Sequence, residues 1–397
     1  FVRVSSGLNM TLSMRNRAAI VGLGTTEFSK NSGRSEMQLA TEAVTTALAD
    51  AGIAPSEVDG LCTYAMDNSS EIELCGNIGG KQLTLFSRIS FGGGGACAPF
   101  HQAMMAVATG VAEVVVCYRA LNERSGLRFG QPLVQSSTES RVVLQAYHGL
   151  QGLQTAAAMM AIPMRRYMHE TGATSEDFAR YSITARKHAA SNPNAFFYGK
   201  PITLEDYMGS RMIADPFRLL DCCQESDGAV AVVVTSAERA RALTHRPVYI
   251  RAAAQGAPVG VVNCTSYYKP DIVPRDECSL VAQQLYRMAD LKPTDIDVAI
   301  LYDHFGPTVL PALEGYGFCK VGEAKDFIKS GNIELGGSLP VNTHGGQLGE
   351  AYIHGMNGVA EAIRQLRGNA VNQVARVQNV LVTAGTGVPT SGMILGI

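Results

Sequence analysis

The 397-residue sequence has no tryptophan, only 17% charged residues and a formal net charge of −2. It contains no basic stripe with interleaved aromatic residues, so it lacks the usual signature of a nucleic-acid-binding protein. No apolar run approaches the roughly 20 residues that a membrane-spanning helix needs, and the first residues lack the apolar core of a signal peptide. We therefore expect a cytoplasmic protein that has neither a nucleic acid nor a membrane as its partner.

Cysteine is present, but not in the patterns that hold metals or form disulfide frameworks. None of the nine cysteines belongs to a CxxC pair, and no Cys/His cluster has the spacing of a zinc site. The adjacent Cys222 and Cys223 are poorly placed for an ordinary structural disulfide. The sequence thus predicts reduced thiols and no metal site.

Apolar residues and glycine are abundant. Hydrophobic residues make up 46% of the chain and glycines number 41, which indicates a large buried core with many tight turns. A chain of this length favours two halves, each with its own core, and we place them at 15–245 and 246–397. Residues 1–14 are expected to be an N-terminal tail, part of it added ahead of a natural start at Met10 or Met14.

The two halves repeat the same order of elements. In the first half, 17–24 has the pattern of a buried strand and 35–52 that of a helix. The second half repeats this order with a strand at 246–254 and a helix at 279–290. Similar segments follow, AGIAPSEVDGL and ADLKPTDIDVAIL, and each leads through a turn into a strand. Internal duplication on this scale predicts two similar βα halves packed together.

The segment from about 120 to 215 interrupts the first half. It is polar and aromatic and has many turn-forming residues. We interpret it as a loop insertion that caps the first half, and inserted loops commonly carry substrate contacts.

Each half then reaches a glycine cluster that opens a helix, at 91–110 and at 342–366. A helix start presents unpaired N–H groups and a partial positive charge, and glycine lets a substrate oxygen approach the backbone closely. Such a junction can stabilise an oxyanion or an enolate. Close packing of a strand on a helix would also explain one such cluster. Two clusters at equivalent places in a duplicated fold favour a shared catalytic cleft.

Three motifs distributed along the chain resemble the thiolase superfamily, in the branch of the sterol-carrier-protein-type thiolases. They are the opening AAIVGLGTTEFSK, the mid-chain DPFRLLDCCQESDGAVAVVVTSAERA at 215–240, and NTHGGQLGEAY, which is similar to the family's last catalytic loop NxxGGxLxxGHP. The resemblance covers almost the whole chain. It implies an α/β thiolase fold, in which duplicated βαβαβαββ halves form a five-layered αβαβα sandwich.

The catalytic positions depart from the thiolase pattern. The nucleophilic cysteine of the family falls near Gly93, while Cys97 lies about one helical turn further on. The histidine positions of the family's GHP and HDCF motifs hold Tyr352 and Tyr302. Thr383 occupies the place of a second cysteine in the family's C-terminal loop. Every acyl-transfer group is therefore replaced, and the same ionisable phenol takes the place of both histidines.

This pattern resembles the steroid side-chain-cleaving aldolases of the superfamily, as do the segments YDHFGPTVLPALEGYGFC and NTHGGQLGEAYIHGMNGVAEAIRQLRG. The resemblance implies retro-aldol cleavage of a β-hydroxy steroid acyl-CoA, with a 17-hydroxy-20-carboxyl-CoA side chain, to a 17-ketosteroid and propionyl-CoA. It also implies a homodimeric thiolase core and a DUF35-type partner with an OB-like fold, together a heterotetramer. No cofactor is expected, because CoA is part of the substrate.

A retro-aldol reaction needs a base for the β-hydroxyl, donors for the thioester oxygen and an acid for the enolate carbon. We assign Tyr352 as the base, since the second glycine junction offers donors that favour a phenolate, and Tyr302 as the acid. Asp303 would raise the pKa of the neighbouring phenol, and His304 could relay a proton, whereas His354 is expected to pack or to support the residues that contact the substrate. The two phenols could also hold the exchanged roles.

The remaining predicted site residues belong to the two glycine junctions. Gly93 in the first junction and Gly345 and Gly346 in the second are the predicted oxyanion donors. Asn342 is expected to order the second loop, which His344 flanks.

Two other functions stay open at the level of sequence. A working thiolase or acyltransferase would use Cys97 as its nucleophile, although no histidine would stand beside it as a base. A non-catalytic acyl-CoA or sterol-binding scaffold would tolerate the loss of Tyr302 and Tyr352. For any other tyrosine of the chain, a buried core role with a satisfied hydroxyl is the natural interpretation.

Overall fold

The computed structural model describes residues 14–126, 128–131, 146–243, 246–261, 264 and 267–397. The predicted N-terminal tail lies outside the described residues, except for Met14. Part of the predicted insertion, 132–145, also lies outside them.

The strands and helices alternate along much of the chain. The strands are β1 (Ala18–Thr25), β2 (Gly60–Tyr64), β3 (Leu85–Ile89), β4 (Val114–Asn122), β5 (Met212–Ala214), β6 (Phe217–Arg218), β7 (Asp227–Ser236), β8 (Val248–Gly256), β9 (Val298–Ile300), β10 (Asn379–Thr383) and β11 (Thr390–Gly396). The helices are α1 (Glu36–Ala51), α2 (Glu71–Asn77), α3 (Ala98–Thr109), α4 (Ala156–Thr171), α5 (Ser175–Ala190), α6 (Leu204–Gly209), α7 (Ala237–Ala242), α8 (Asp276–Ala289), α9 (Val309–Gly315), α10 (Ala324–Lys329), α11 (Gly346–Gly349) and α12 (Met356–Arg367). Short 3-10 turns lie at Pro55–Glu57, Gly92–Gly95, Leu219–Asp221, Pro293–Asp295 and Gly306–Thr308.

Nine of the strands pair in the order β3-β2-β4-β7-β1-β8-β11-β10-β9. Strand β7 lies antiparallel between β4 and β1, and β11 lies antiparallel between β8 and β10, so the last strand of each half occupies the same place. Strand β2 pairs in parallel with β3 and β4, as β9 pairs in parallel with β10. A single parallel bridge from Ala299 to Val341 marks the place that β3 has in the first half. The repeated order confirms the predicted duplication.

Three hydrophobic clusters separate five layers. The central cluster contains α3 and α12 together with inward-facing side chains of both halves of the sheet, such as Val232 and Val382. A second cluster packs α1 on the outer face of the first half, and a third packs α8 and α9 on the outer face of the second half. Because β1 and β8 pair through only two residue pairs, the two halves of the sheet can face each other across the central helices. This arrangement is the predicted αβαβα sandwich.

The first βα unit shows how the sequence fixes these layers. Ser35 and Gln38 form a capping box at the start of α1, and Gly52 ends the helix in the left-handed conformation. An added Cβ at Gly24 of β1 would lie 2.0 Å from the carbonyl oxygen of Ala43. Glycine at this position therefore lets the strand approach the helix closely.

The insertion differs from the prediction. Its described part contains the helices α4, α5 and α6 rather than mainly turns, and their apolar side chains join the outer cluster of the second half. The expectation that the insertion caps the first half is therefore wrong. The physical reason lies in the apolar face of α5, where Ala189 fits against Gly345 and Gly349 so closely that an added Cβ at either glycine would lie 2.5 Å from the Ala189 Cβ. The insertion thus packs on the second glycine loop.

Candidate active site

Tyr302 lies two residues beyond the end of β9, at the edge where the parallel strands β9 and β10 both end. Its N–H donates to the Thr383 hydroxyl at the end of β10, with a distance of 2.9 Å. The side chain is only 5% exposed and belongs to the central cluster. The strand ends therefore hold this phenol between the two halves of the molecule.

Tyr352 lies in the loop between α11 and α12. Its N–H donates to the hydroxyl of Ser226 over 3.2 Å. Its own hydroxyl lies 3.0 Å from that of Tyr302, and the two rings meet edge to face at 78°. Two phenols that separate motifs predicted, 50 residues apart in the chain, are thus hydrogen-bonded to each other.

Burial controls the protonation of this phenol pair. It is the main cause that raises the pKa of both Tyr302 and Tyr352 well above the usual value, and Cys223 and Glu123 raise both further. The hydrogen bond between the phenols lowers the pKa of Tyr302 and raises the pKa of Tyr352. Both hydroxyls are therefore protonated at neutral pH.

Gly93 brings the first glycine junction directly against this pair. An added Cβ at Gly93 would lie 2.2 Å from the hydroxyl oxygen of Tyr302, so the phenol fills the space of any side chain there. Among the described residues, the N–H of Gly93 has no hydrogen-bond acceptor, and the 3-10 turn that contains it leads into α3. This N–H is therefore available to a negatively charged substrate oxygen.

Cys97 is built into the core. It is fully buried at the start of α3, where its N–H donates to the Ser391 hydroxyl over 3.1 Å and its sulfur lies 3.7 Å from the carbonyl oxygen of Val382. Burial raises the pKa of the thiol. A neutral thiol without access to solvent is not a nucleophile, so Cys97 has a structural role.

Asp303 and Asn342 hold the second glycine loop. The Asp303 carboxylate accepts hydrogen bonds of 2.8 Å from the Tyr181 hydroxyl and from the N–H of Gln347, and burial raises its pKa to about 6. The Asn342 side chain donates to the same Tyr181 hydroxyl over 2.6 Å and bonds the N–H and carbonyl of Leu301. Burial and then the charge of Asp303 raise the pKa of the Tyr181 phenol. Asp303 thus helps to fix the loop, and its expected action on the neighbouring Tyr302 stays a prediction.

The predicted histidines are buried and neutral. The ring of His304 lies 5.3 Å from that of Tyr302, and burial lowers its pKa to about 4. His344 lies 3.9 Å from the Glu350 carboxylate, but burial and Arg364 lower its pKa to about 3, so the two form no ion pair at neutral pH. Of the two histidines, His304 is the one beside Tyr302, and its relay of a proton stays a prediction.

The second glycine junction is built differently from the first. Gly345 and Gly346 adopt φ values of 109° and 65° and open only the single turn of α11, whereas the long helix α12 begins after Gly355. An added Cβ at Gly346 would lie 2.1 Å from a carboxylate oxygen of Asp303. The expectation that this pair of glycines opens the long helix is wrong, because Asp303 occupies the junction instead. Its part in binding an oxyanion stays a prediction.

The second half matches a family model described as Thiolase C-terminal domain-like, over residues 262–396. The 17-hydroxy-3-oxo-4-pregnene-20-carboxyl-CoA lyase of Mycobacterium tuberculosis is 60% identical over 385 residues, which cover 96% of this chain and 100% of that protein. The steroid side-chain-cleaving aldolase of Thermomonospora curvata is 61% identical over 381 residues, which cover 96% of this chain and 97% of that protein. The chain belongs to the family of the steroid side-chain-cleaving aldolases.

A solved structure supports the same placement within the thiolase superfamily. The Ltp2-ChsH2(DUF35) aldolase matches this member of the family with a TM-score of 0.93 at 60% identity, over 97% of this chain and 98% of that chain. The match confirms the predicted superfamily and fold.

Three buried residues near the candidate site were missed or given a lesser role. Arg119 in β4 is fully buried, and its Nη2 lies 2.5 Å from Nδ1 of His354, which was expected to pack or to support the site. Glu123, just beyond β4, is 2% exposed, and burial raises its pKa to about 9. The sequence did indicate Arg119, because a buried apolar strand such as VVVCYRAL seldom carries a charged residue without a special reason.

The sequence also predicted no metal site, no membrane-spanning helix and no disulfide between Cys222 and Cys223. In the part of the chain that the structure describes, no three His, Cys, Asp or Glu side chains are arranged to hold a metal ion. No described helix combines the length and apolarity that crossing a membrane requires. Cys222 and Cys223 form no disulfide with each other.

Proposed function

We propose that this protein is a retro-aldol carbon–carbon lyase that cleaves a β-hydroxy steroid acyl-CoA with a 17-hydroxy-20-carboxyl-CoA side chain. The products are a 17-ketosteroid and propionyl-CoA. The observation that carries the proposal is the 3.0 Å contact between the hydroxyls of Tyr302 and Tyr352 beside Gly93. Identities of 60% and 61% to a steroid acyl-CoA lyase and a steroid side-chain-cleaving aldolase support the substrate.

The thioester oxygen binds at the first glycine junction. There the unpaired N–H of Gly93 and the positive end of α3 stabilise the negative charge of the enolate. With the thioester carbon held at this point, Cα lies next to Tyr302, whose hydroxyl faces Gly93. The substrate's Cβ, with its hydroxyl group, is the next carbon along the acyl chain and lies beside Tyr352.

Tyr352 is the base and Tyr302 is the acid in this arrangement. The β-hydroxyl gives its proton to Tyr352 as the Cα–Cβ bond breaks, and the electron pair of that bond forms the enolate. Tyr302 gives its proton to Cα and takes the proton of Tyr352 across their hydrogen bond. Each phenol thus gains one proton as it loses one. The raised pKa values of both phenols support this neutral relay, since a free phenolate would be costly in so buried a site.

An acyltransferase that uses Cys97 is the first competing function. The thiol is fully buried and its pKa is raised, so it offers no thiolate to an acyl group. A non-catalytic binding scaffold is the second. It would need no hydrogen-bonded phenols at two catalytic positions of the thiolase pattern, which favours the lyase.

We also propose a homodimer that binds a DUF35-type partner to form a heterotetramer. Strand β3 is an outer strand of the sheet and carries Phe86, which is 64% exposed, so the chain has an unpaired edge with an apolar side chain. The similarity to the Ltp2-ChsH2(DUF35) aldolase supports the DUF35-type partner. The proposal needs no cofactor or metal, and it places the protein in the cytoplasm without a nucleic acid or membrane partner.

The test is incubation of the protein, with and without a DUF35-type partner, with 17-hydroxy-3-oxo-4-pregnene-20-carboxyl-CoA. Mass spectrometry should detect propionyl-CoA and the 17-ketosteroid in equal amounts. Absence of both products with the partner present would remove the lyase proposal. Iodoacetamide should leave Cys97 unlabelled and the activity intact, whereas loss of activity through labelling of Cys97 would favour the acyltransferase.

A further inference from the structure

Arg119 is a charged side chain in an apolar strand. Its guanidinium group is fully buried, lies 4.4 Å from the centre of the Tyr64 ring, and donates to the Tyr64 carbonyl over 2.6 Å. Within the described residues, no carboxylate forms an ion pair with it. A buried cation without a paired anion is costly, so its position calls for a function.

Among the described residues, His354 is the one side chain that forms a hydrogen bond with Arg119. The distance between Nη2 of Arg119 and Nδ1 of His354 is 2.5 Å. A guanidinium group keeps its protons at any physiological pH and can only donate. Nδ1 must therefore accept, and the ring proton of His354 must lie on Nε2.

The ring of His354 is held firmly in this orientation. Its backbone adopts a φ of 54°, which is uncommon for a residue other than glycine, and its carbonyl accepts a 2.7 Å hydrogen bond from the Tyr64 hydroxyl. The ring centre lies 5.5 Å from those of both Tyr352 and Phe129. Packing and hydrogen bonds together fix where Nε2 points.

Nε2 of His354 faces the first glycine junction. An added Cβ at Gly92 would lie 3.6 Å from both Nε2 and Cε1 of the ring. The next residue, Gly93, has an unpaired N–H and contacts the Tyr302 hydroxyl. The Nε2 edge of the His354 ring therefore lies beside Gly92, the residue that precedes the Gly93 N–H in the same junction.

We propose that His354 is a catalytic hydrogen-bond donor to the substrate oxygen that carries the enolate charge, and that Arg119 is the positioning residue that fixes its tautomer. The inference rests on the proposed lyase function and adds a second kind of donor to the backbone N–H. The imidazole transfers no proton. It stays neutral because burial and the charge of Arg119 lower its pKa. A neutral donor is suited to this task, since it stabilises the enolate without protonating its oxygen.

The tautomer can be measured without turnover. In the intact protein assembly labelled with ¹⁵N-histidine, NMR should show a pyridine-like Nδ1 and a pyrrole-like, protonated Nε2 for His354 at neutral pH. Arg119→Lys, which keeps a cationic donor, should keep this tautomer, and Arg119→Met should let the Nδ1–H form appear. A protonated Nδ1 in the unsubstituted protein, or an unchanged tautomer in Arg119→Met, would overturn the role of Arg119.

Kinetics test the catalytic part. His354→Leu should lower kcat by about 10²-fold and change KM by less than about threefold, because the lost donor acts mainly on the transition state. His354→Gln, which retains an N–H donor, should recover part of that loss. His101→Leu, at a partly buried histidine of α3, is the matched control and should leave kcat unchanged. A folded His354→Leu protein with full kcat would overturn the catalytic role.

Different results would overturn the lyase function and the catalytic role of His354. If the unsubstituted protein cleaves no β-hydroxy acyl-CoA, the lyase function fails and the catalytic role of His354 fails with it. If it does cleave the substrate and His354→Leu retains full kcat, only the role of His354 fails. The NMR result tests the role of Arg119 in either case, because it requires no turnover.

Discussion

At the residue scale, the phenol pair shares its surroundings with a carboxyl group that has one unsatisfied oxygen. Glu123 is 2% exposed, and Oε2 has no hydrogen-bond partner in the described part of the chain. Burial and then repulsion from Glu225 raise its pKa to about 9. The group is therefore a neutral acid at neutral pH. Once ionised, it would oppose the ionisation of both Tyr302 and Tyr352.

Glu123→Gln is expected to stabilise the protein at alkaline pH. The pKa of Glu123 is about 9 in the folded state against an ordinary 4.5, so the folded protein binds this proton more tightly and loses stability as the pH rises between these values. At about pH 9 the free energy of unfolding of the variant should exceed that of the unsubstituted protein. This difference between the two proteins should be larger by a few kcal/mol than the difference at about pH 5. Urea denaturation at both pH values measures this.

The control for that experiment is Glu176→Gln, at an exposed carboxyl in the first turn of α5. It should shift the free energy of unfolding equally at both pH values. The same pH-independent shift in Glu123→Gln would show that Glu123 is ionised in the folded protein.

The residues that could be predicted from the sequence are those on recognisable motifs. Tyr302 and Tyr352 each replace a histidine in such a motif, so their proximity followed from the resemblance. The contact between Arg119 and His354 joins residues 235 positions apart and belongs to no motif. A pattern along the chain shows that a charge is buried, but only the packed structure shows which side chain it meets.

At the element scale, the first glycine junction and the end of β9 must fit each other within a fraction of an ångström. Gly93→Ala is expected to lower kcat about tenfold or more, because the added Cβ would lie 2.2 Å from the Tyr302 hydroxyl and would push it away from Tyr352. The same overpacking should cost about 1–3 kcal/mol of stability. Steady-state kinetics and thermal unfolding of the same samples measure the two effects.

Gly76→Ala is the matched control for this substitution. An added Cβ at Gly76, in α2, meets no atom within 4 Å, so kcat and stability should both be retained. Unchanged kcat in Gly93→Ala would contradict the close fit between the junction and the phenol.

The regular elements were predictable where the local pattern decides the structure. The helix expected at 35–52 spans Glu36–Ala51, because its caps and its apolar stripe are all local. The second glycine cluster was misassigned, since Gly345 and Gly355 both suit a helix start and only the Asp303 carboxylate distinguishes them. The helices of the insertion were missed for a similar reason, because their buried side chains join a cluster with the second half, far away in the sequence.

At the scale of the whole molecule, the sheet ends at one side in strand β3, which presents Phe86 at 64% exposure. Phe86→Lys is expected to convert the proposed dimer to a monomer, because a charge on the edge strand opposes pairing with a second copy. Light scattering after size-exclusion chromatography measures the mass. Leu335→Lys is the control, at an exposed leucine of the second half, and should leave the dimer intact. A Phe86→Lys protein that stays dimeric would place the interface elsewhere.

The proposed proton relay links Tyr302 and Tyr352 across the hydrogen bond between their hydroxyls, and a double-mutant cycle on kcat tests it most directly. Tyr302→Phe and Tyr352→Phe should each lower kcat by about 10²–10⁴-fold with KM changed less than about threefold, since proton transfer from the β-hydroxyl to Cα runs through both phenols. The control is Tyr286→Phe, which should keep full kcat. The hydroxyl that it removes donates to the Tyr316 carbonyl. The relay predicts that the double variant loses no more activity than either single variant. Losses that multiply in the double variant, or a single variant within about threefold of full kcat, would contradict it.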